Sequence, residues 1–332
     1  MIQETYLPFT KDQLCKYFSM NQGNNVKYYT VSADKYNAWL DDPTIETSEN
    51  YKTLRQIEKD ERFWGAQSFI SIFEQLNSVK IVEDLITLLT KSFGPTPPAG
   101  IFGSWEKALK TAISDKLILR FEENIPSPKI FKEYLQKNLI QRHFIPYVID
   151  HATKSVNPEL EFRSNLEGPT NVDILIINPS NGFNIFIEAK LLSDISYQVS
   201  YDVLRNQMAR NIDAMLWDNR SQFQDKMHVR IQDDCYCIEN NSEDKDYRQF
   251  LNPEKSIFLL LTPQIFKDYP NSRLYGYKYD DYTSNPLNLM SDLNHRCDIS
   301  PKKWADISKR LGWITWEDLN SVNPDCCPWV IK

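Results

Sequence analysis

Residues 171–190 read Asn-Val-Asp-Ile-Leu-Ile-Ile-Asn-Pro-Ser-Asn-Gly-Phe-Asn-Ile-Phe-Ile-Glu-Ala-Lys, two apolar runs on either side of Pro179-Ser-Asn-Gly182. Short runs rich in Ile, Val and Phe predict strands. Proline presets the backbone at the second position of a turn, and glycine accepts the positive φ that closes it. The stretch therefore predicts a hairpin with strands at about 171–178 and 183–192.

The predicted register places charged side chains together. If Asn178 and Phe183 close the hairpin, Asp173 lies directly across from Glu188. Opposed side chains share a sheet face, with Cβ atoms about 4.5–5.5 Å apart. Lys190 follows Glu188 by two residues and lies on the same face. A slip of one residue would send Asp173 to the other face of the sheet, so the hypothesis that the three side chains share a site depends on this register.

Two carboxylates in an apolar sheet need compensation, because like charges disfavour joint ionisation. Mg²⁺, or Mn²⁺ in its place, binds hard oxygen ligands and takes one or two carboxylates plus phosphate oxygens. Such an ion supports phosphodiester hydrolysis. We therefore predict Asp173 and Glu188 as metal ligands. Lys190 is the predicted group that positions the attacking water or neutralises charge on phosphorus.

An Asp on one strand, a hairpin and a Glu-x-Lys on the next resemble the PD-(D/E)xK nuclease superfamily, whose fold is restriction-endonuclease-like. The resemblance runs from the helix predicted at 128 to the helix ending near 218. It assigns the family's Asp, Glu and Lys to Asp173, Glu188 and Lys190. Val172 stands where the family usually has Pro. The same tripeptide at Glu243-Asp-Lys245 lies in a polar run and is taken as a decoy.

The resemblance implies two further site residues on helices. Many members carry an upstream helical Glu, for which Glu133 is the candidate and Glu161 the rival. Some members place a Gln on the following helix, and Gln207 fits that position. The Tyr that often follows four residues later is Asn211 here. For Glu133 and Gln207 a solvated helix face is an equal alternative.

The whole chain predicts an α/β fold: a mixed central β-sheet flanked by helices, with a mostly helical N-terminal region. Gly94-Pro-Thr-Pro-Pro-Ala-Gly100 breaks any helix and suggests a boundary. The predicted parts are 1–99, the helical region, and 100–332, a nuclease-like domain with a C-terminal helical extension. Periodicity predicts helices at 104–120, 128–149, 197–218 and 301–311, after a helical pattern over 51–93. Further strands are predicted at 159–166 and 257–262.

Composition and the absence of certain motifs argue against several classes of protein. The 332 residues carry a net charge of −7, nine glycines and six cysteines. Neither a phosphate-binding loop nor a dinucleotide-binding glycine turn occurs, and no apolar run reaches the length of a membrane span. The N-terminus lacks a signal-peptide pattern, so we expect a cytoplasmic protein without membrane contact. A zinc site from Cys235, Cys237, His295 and Cys297 is a weaker alternative, because its spacing is unusual.

These observations predict a Mg²⁺-dependent nuclease, with DNA as the expected substrate and endonucleolytic restriction or anti-phage defence as the expected context. A homo-oligomer or a partner protein of a defence system is left open. Two alternatives stand beside it. One is a catalytically inactive nuclease-fold protein that binds or scaffolds, and the other is an RNA-directed endonuclease.

Overall fold

A computed structural model describes residues 60–113, 115–142, 169–196, 205–217, 247–327 and 330, together with 13, 16–18 and 42. Within these ranges, five strands form one open sheet in chain order. The strands are β1 (Ile118–Ile125), β2 (Thr170–Ile177), β3 (Asn184–Ala189), β4 (Ser256–Thr262) and β5 (Leu311–Thr315). The β1–β2 and β2–β3 pairs are antiparallel, and the β3–β4 and β4–β5 pairs are parallel. The predicted mixed sheet of an α/β protein is confirmed.

Helices cover both faces of this sheet. Before β2 they are α1 (Glu61–Phe73), α2 (Ser78–Phe93), α3 (Trp105–Leu109) and α4 (Lys129–Arg142). Between β3 and β5 they are α5 (Gln207–Met215), α6 (Gln264–Asp268), α7 (Leu274–Ser284), α8 (Pro286–Asp292) and α9 (Pro301–Ser308), and α10 (Trp316–Val322) follows β5. None of the helices in the described part of the chain has the length and apolar character needed to cross a bilayer.

Side chains alternate across the strands and divide the core in two. Ile174, Ile185 and Leu259 face one cluster, which holds the apolar residues of α1, α2 and α3. Their neighbours Leu175 and Phe186 face the other cluster, with α5 and α7 to α9. This is the period-two alternation of a strand buried on both sides. Helices α1 and α2 precede the predicted boundary at 99, yet they pack on the sheet and share its hydrophobic core. The boundary itself stays a prediction.

The hairpin has the predicted register. Ile174 pairs with Ile187 and Ile177 with Asn184. The Asn178 N–H donates to the Phe183 carbonyl at 2.8 Å. Gly182 has φ 74°, the positive value expected at the turn. The sequence 179–182 therefore fixes which residues of β2 and β3 face each other, and β4, predicted at 257–262, lies beside β3.

One predicted helix is wrong over most of its length. Ser104 caps α3 by accepting from the Lys107 N–H, as expected, but the helix ends at Leu109 and the chain then forms β1. Charged residues in β1 obscured its strand pattern. The short strand β5 was also missed, and α9 ends before it, at Ser308. The predicted strand at 159–166 lies outside the described residues, as do 143–149 and 197–204 of two predicted helices.

Candidate functional site

An open cleft of about 450 Å³ lies where β2 and β3 separate at the end away from the turn. Its walls are polar, and they combine the start of α1 with one residue of β1 and the ends of the hairpin strands. The lining residues are Asp60, Glu61, Arg62, Glu122, Asp173, Ala189 and Lys190. Two of the three predicted core residues of the site, Asp173 and Lys190, therefore face this cleft.

Asp173 bridges the two hairpin strands at the end away from the turn. The paired region of β2 and β3 ends at Ile174 and Ile187. Beyond it, Asp173 Oδ2 accepts a hydrogen bond from the Ala189 backbone N–H at 2.8 Å. The carboxylate thus joins the two strands where their ladder stops, and this bond fixes its position at the cleft wall.

Glu188 lies beneath the cleft surface, with none of its area exposed. Its Oε1 is 2.6 Å from Lys190 Nζ, and its Oε2 accepts from Asn211 Nδ2 at 2.6 Å. Lys190 is 7% exposed and reaches the cleft. The predicted meeting of Glu188 and Lys190 is therefore present as a buried ion pair, with Lys190 between Glu188 and the open space.

Burial governs the ionisation of the acidic groups here. Burial raises the pKa of Glu122 to about 8, against the opposing charge of Arg62. Burial and the neighbouring Glu188 charge raise the pKa of Asp173 well above its usual range. The pKa of Glu188 is also raised by burial, although Lys190 opposes the change. These carboxyl groups hold protons more tightly than in water unless a further positive charge enters the site.

The same carboxylates act on Lys190 in the opposite direction. Burial alone would lower the pKa of Lys190, but the charges of Glu188 and Asp173 outweigh it and raise that pKa above its usual value. Lys190 is therefore a permanent cation at neutral pH. It can neutralise charge or orient a water molecule, and it is a poor general base.

Glu122 was not predicted. It faces the cleft from β1, between the pairs Phe121–Ile174 and Glu123–Val172. Its φ of 53° makes it the one non-glycine residue with positive φ in the described ranges. A non-glycine residue in this conformation is strained, and such residues cluster at functional sites. No sequence signal marks this backbone conformation at a Glu inside a strand.

The start of α1 supplies the other wall and was also missed. Asp60 caps the helix by accepting from the Arg62 N–H, and its carboxylate takes two further bonds from the Arg62 guanidinium at 2.9 and 2.8 Å. Glu61 accepts from the Leu191 N–H at 3.2 Å and from Ser193 Oγ at 2.5 Å. Glu61 therefore anchors the segment that follows β3. The pattern Asp-Glu-Arg before an apolar helix was visible, but its contact with the hairpin is tertiary.

The two helical candidates do not reach the cleft wall. Glu133 is exposed on α4, and its Oε1 is 3.5 Å from Lys129 Nζ. Gln207 begins α5, where its N–H donates to the Ser196 carbonyl. Glu161 lies outside the described residues. One turn after Gln207, Asn211 makes the contact with Glu188 instead.

The weaker zinc alternative finds no support at its histidine. His295 is buried, and its Nε2 lies 2.9 Å from Asp213 Oδ2. Arg205 and Arg296 contact the same carboxylate, and Arg205 holds the pKa of Asp213 below its usual value against the effect of burial. Cys297 is exposed, and Cys235 and Cys237 lie outside the described residues. His295 belongs to a buried polar cluster around Asp213 that joins α5 to the α8–α9 connection.

The donor chemistry of the cleft fits a divalent cation with few protein ligands. Among the residues that the structure describes, no group of three or more His, Cys, Asp or Glu side chains is arranged to hold a metal ion. Mg²⁺ usually needs only one or two carboxylates, with water or phosphate oxygens completing its shell. Asp173 lines the cleft, and Glu188 lies beneath it in the pair with Lys190, so these two carboxylates are the ones that could hold such an ion. Searches against protein-family models, curated proteins and solved structures found no match for this chain.

Proposed function

We propose that the chain is a divalent-cation-dependent phosphodiesterase that acts on nucleic acid, with DNA as the first expected substrate. The observation that carries the proposal is the hairpin register. This register ends at the Ile174–Ile187 pair, next to Asp173 and Glu188. Asp173 and Lys190 line the polar cleft there, and Lys190 pairs with the buried Glu188. The resemblance of these three residues to the PD-(D/E)xK pattern supports the nuclease assignment. The same resemblance favours restriction or anti-phage defence.

The charge of the cleft supports cation dependence independently of any resemblance. Four of its lining side chains are acidic, namely Asp60, Glu61, Glu122 and Asp173, and two are basic. A nucleic-acid backbone is itself anionic, and these walls offer it no excess of positive charge in the absence of a bound cation. A bound divalent cation would add positive charge and give phosphate oxygens a partner.

Each residue has a defined part in the proposed hydrolysis. Asp173 and Glu188 would hold the cation, which when bound polarises the phosphoryl group and lowers the pKa of coordinated water. Lys190, as a permanent cation, would orient the attacking water or stabilise the charge that develops on the phosphoryl oxygens. For Glu188 to contribute, Lys190 must move from its present ion pair toward the cleft.

A binding protein without catalysis is the second candidate, and one observation favours it. Glu188 is fully buried, and Lys190 and Asn211 already occupy its two oxygens. If Lys190 does not leave this pair, the site cannot take a cation. The two candidates differ in whether phosphodiester bonds are cut, so a cleavage assay separates them.

The test uses the full chain with supercoiled plasmid, linear duplex, single-stranded DNA and single-stranded RNA, each with Mg²⁺ or Mn²⁺. We expect DNA cleavage by the wild type and a loss of about 10²-fold or more in Lys190→Ala, as for other groups that stabilise transition-state charge. Lys303→Ala is a matched control, since Lys303 pairs with Glu254 on the surface. Lys245→Ala controls for the second Glu-x-Lys tripeptide.

The outcomes separate the hypotheses. Cleavage of RNA alone would replace DNA by RNA as substrate. Binding of nucleic acid without cleavage under every condition would favour the non-catalytic alternative. Equal activity of the wild type and Lys190→Ala would show that cleavage does not come from this site.

A further inference from the structure

Asn211 on α5 was not among the predicted site residues, yet it donates a hydrogen bond to Glu188. Its side chain is 1% exposed. Nδ2 donates to Glu188 Oε2 at 2.6 Å and lies 3.2 Å from the Gln207 carbonyl. A carboxylate only accepts hydrogen bonds, so the amide must present its NH₂ group to Glu188. That requirement fixes which way the amide is turned.

This bond restrains the Glu188 carboxylate from the side opposite Lys190. Lys190 Nζ lies 2.6 Å from Glu188 Oε1, while Asn211 Nδ2 donates a hydrogen bond to Glu188 Oε2. If Lys190 left this pair for the cleft, Asn211 would still hold the carboxylate in place. The two partners therefore differ in kind: one is a lysine just after the end of β3 that also lines the cleft, and the other is a neutral amide on a packed helix.

The other end of the same amide is a buried acceptor. Asn211 Oδ1 has no hydrogen-bond partner and no exposed surface. Buried polar atoms are paired in the great majority of cases, and an exception points to a missing water or ion. Mg²⁺ and Mn²⁺ carry water molecules into their sites, because they rarely shed all of them. A water bound to the cation, donating to Oδ1, would supply the missing partner.

We propose that Asn211 is the positioning residue of the cation site: it orients Glu188 through Nδ2 and receives a cation-bound water through Oδ1. The inference rests on the proposed function, because it requires that Glu188 bind a cation. Asn211 itself touches neither substrate nor reacting atoms. Its role is to set how well the site holds the ion.

The test measures binding of Mn²⁺ to the full chain without substrate, by electron paramagnetic resonance of free Mn²⁺ and by titration calorimetry. Asn211→Leu removes both polar atoms at similar size. We expect it to weaken Mn²⁺ binding about 10- to 100-fold, the usual effect of losing a partner of a metal ligand. Asn211→Ala tests the same loss with different packing, and thermal unfolding reports whether each variant folds.

Two further variants make the result specific. Asn320→Leu removes another buried amide, whose Nδ2 donates to the Cys327 carbonyl far from the cleft along the chain, and should leave Mn²⁺ affinity unchanged. Asp173→Asn should abolish Mn²⁺ binding and so locate the ion. If Asn211 were merely structural, its substitution would lower the unfolding temperature without changing the affinity, which is the result expected for Asn320→Leu.

The outcomes distinguish the two proposals. If the wild type binds Mn²⁺, Asp173→Asn loses it, and both Asn211 variants bind as the wild type does, the role of Asn211 is overturned while the cation site stands. If the wild type binds no Mn²⁺, or Asp173→Asn binds equally well, the cation site itself is wrong and Asn211 loses its role with it.

Discussion

Replacing Glu122 by Gln should stabilise the metal-free protein, and the gain should grow as pH rises. Glu122 is 7% exposed, and burial raises its pKa from 4.5 to about 8. A carboxyl group with a higher pKa in the folded state binds its proton more tightly there. Its contribution to stability is fully present below pH 4.5 and is lost as pH rises through about 8. Gln cannot titrate, keeps a similar shape and leaves the positive φ unchanged.

The size of the effect follows from the two pKa values. A rise from 4.5 to about 8 corresponds to about 4–5 kcal/mol when the group is fully ionised. Between pH 5 and pH 8 the wild type should lose about 3–4 kcal/mol of this amount. The charges of Asp60 and Glu188 act in the same direction as burial, and that of Lys190 acts against it.

Urea unfolding at several pH values between 5 and 8, in the presence of a chelator, measures this difference. The free energy of unfolding of Glu122→Gln should rise relative to the wild type as pH increases. Glu133→Gln is the control, because Glu133 is exposed on α4 and should leave the pH dependence unchanged. Parallel curves for wild type and Glu122→Gln would refute the reasoning, since they would mean that Glu122 ionises without cost in the folded state.

Two other substitutions test the structure around the site, one in the buried Asp213 cluster and one in the hairpin turn. Asp213→Asn should destabilise the protein by about 3–5 kcal/mol, because it leaves buried arginine without its counter-charge; a change below 1 kcal/mol in denaturant unfolding would contradict this. Gly182→Ala should cost about 1–2 kcal/mol for its positive φ, and more because the new Cβ would lie 3.2 Å from Asn252 Cβ. Gly100→Ala, at φ 87° with open space around the new Cβ, is the comparison for the backbone cost alone, so equal losses for the two would argue against crowding at Asn252.

The hairpin could be predicted from sequence because local physics determines it. The turn residues 179–182 fix the end of the hairpin, and the period of two fixes the faces of β2 and β3. Those two facts suffice to place Glu188 and Lys190 together. Each depends on residues within about 20 positions of the others, so no tertiary information was needed.

The rest of the cleft could not be predicted, because it depends on contacts across the chain. Asp60 and Glu61 come from a helix more than 100 residues before the hairpin, and their place beside it follows from how α1 packs on the sheet. In β1 the charges of Arg120, Glu122 and Glu123 conceal the alternation. Glu123 is buried against the Tyr247 hydroxyl, a partner more than 100 residues away. A charged residue with a distant partner looks like a surface residue when only its neighbours in sequence are considered.

The buried acidic side chains at the cleft lower the stability of the folded protein, and the same property would favour binding of a cation there. Glu122, Asp173 and Glu188 are brought into a poorly solvated place with Lys190 as the one cation that touches Glu188 among the described contacts. Without a further positive charge, protons are the remaining compensation, and this is why burial raises all three pKa values. A divalent cation would replace those protons, so one charge imbalance both destabilises the empty site at high pH and favours the ion. A purely structural site would gain stability from apolar or amide side chains at these positions.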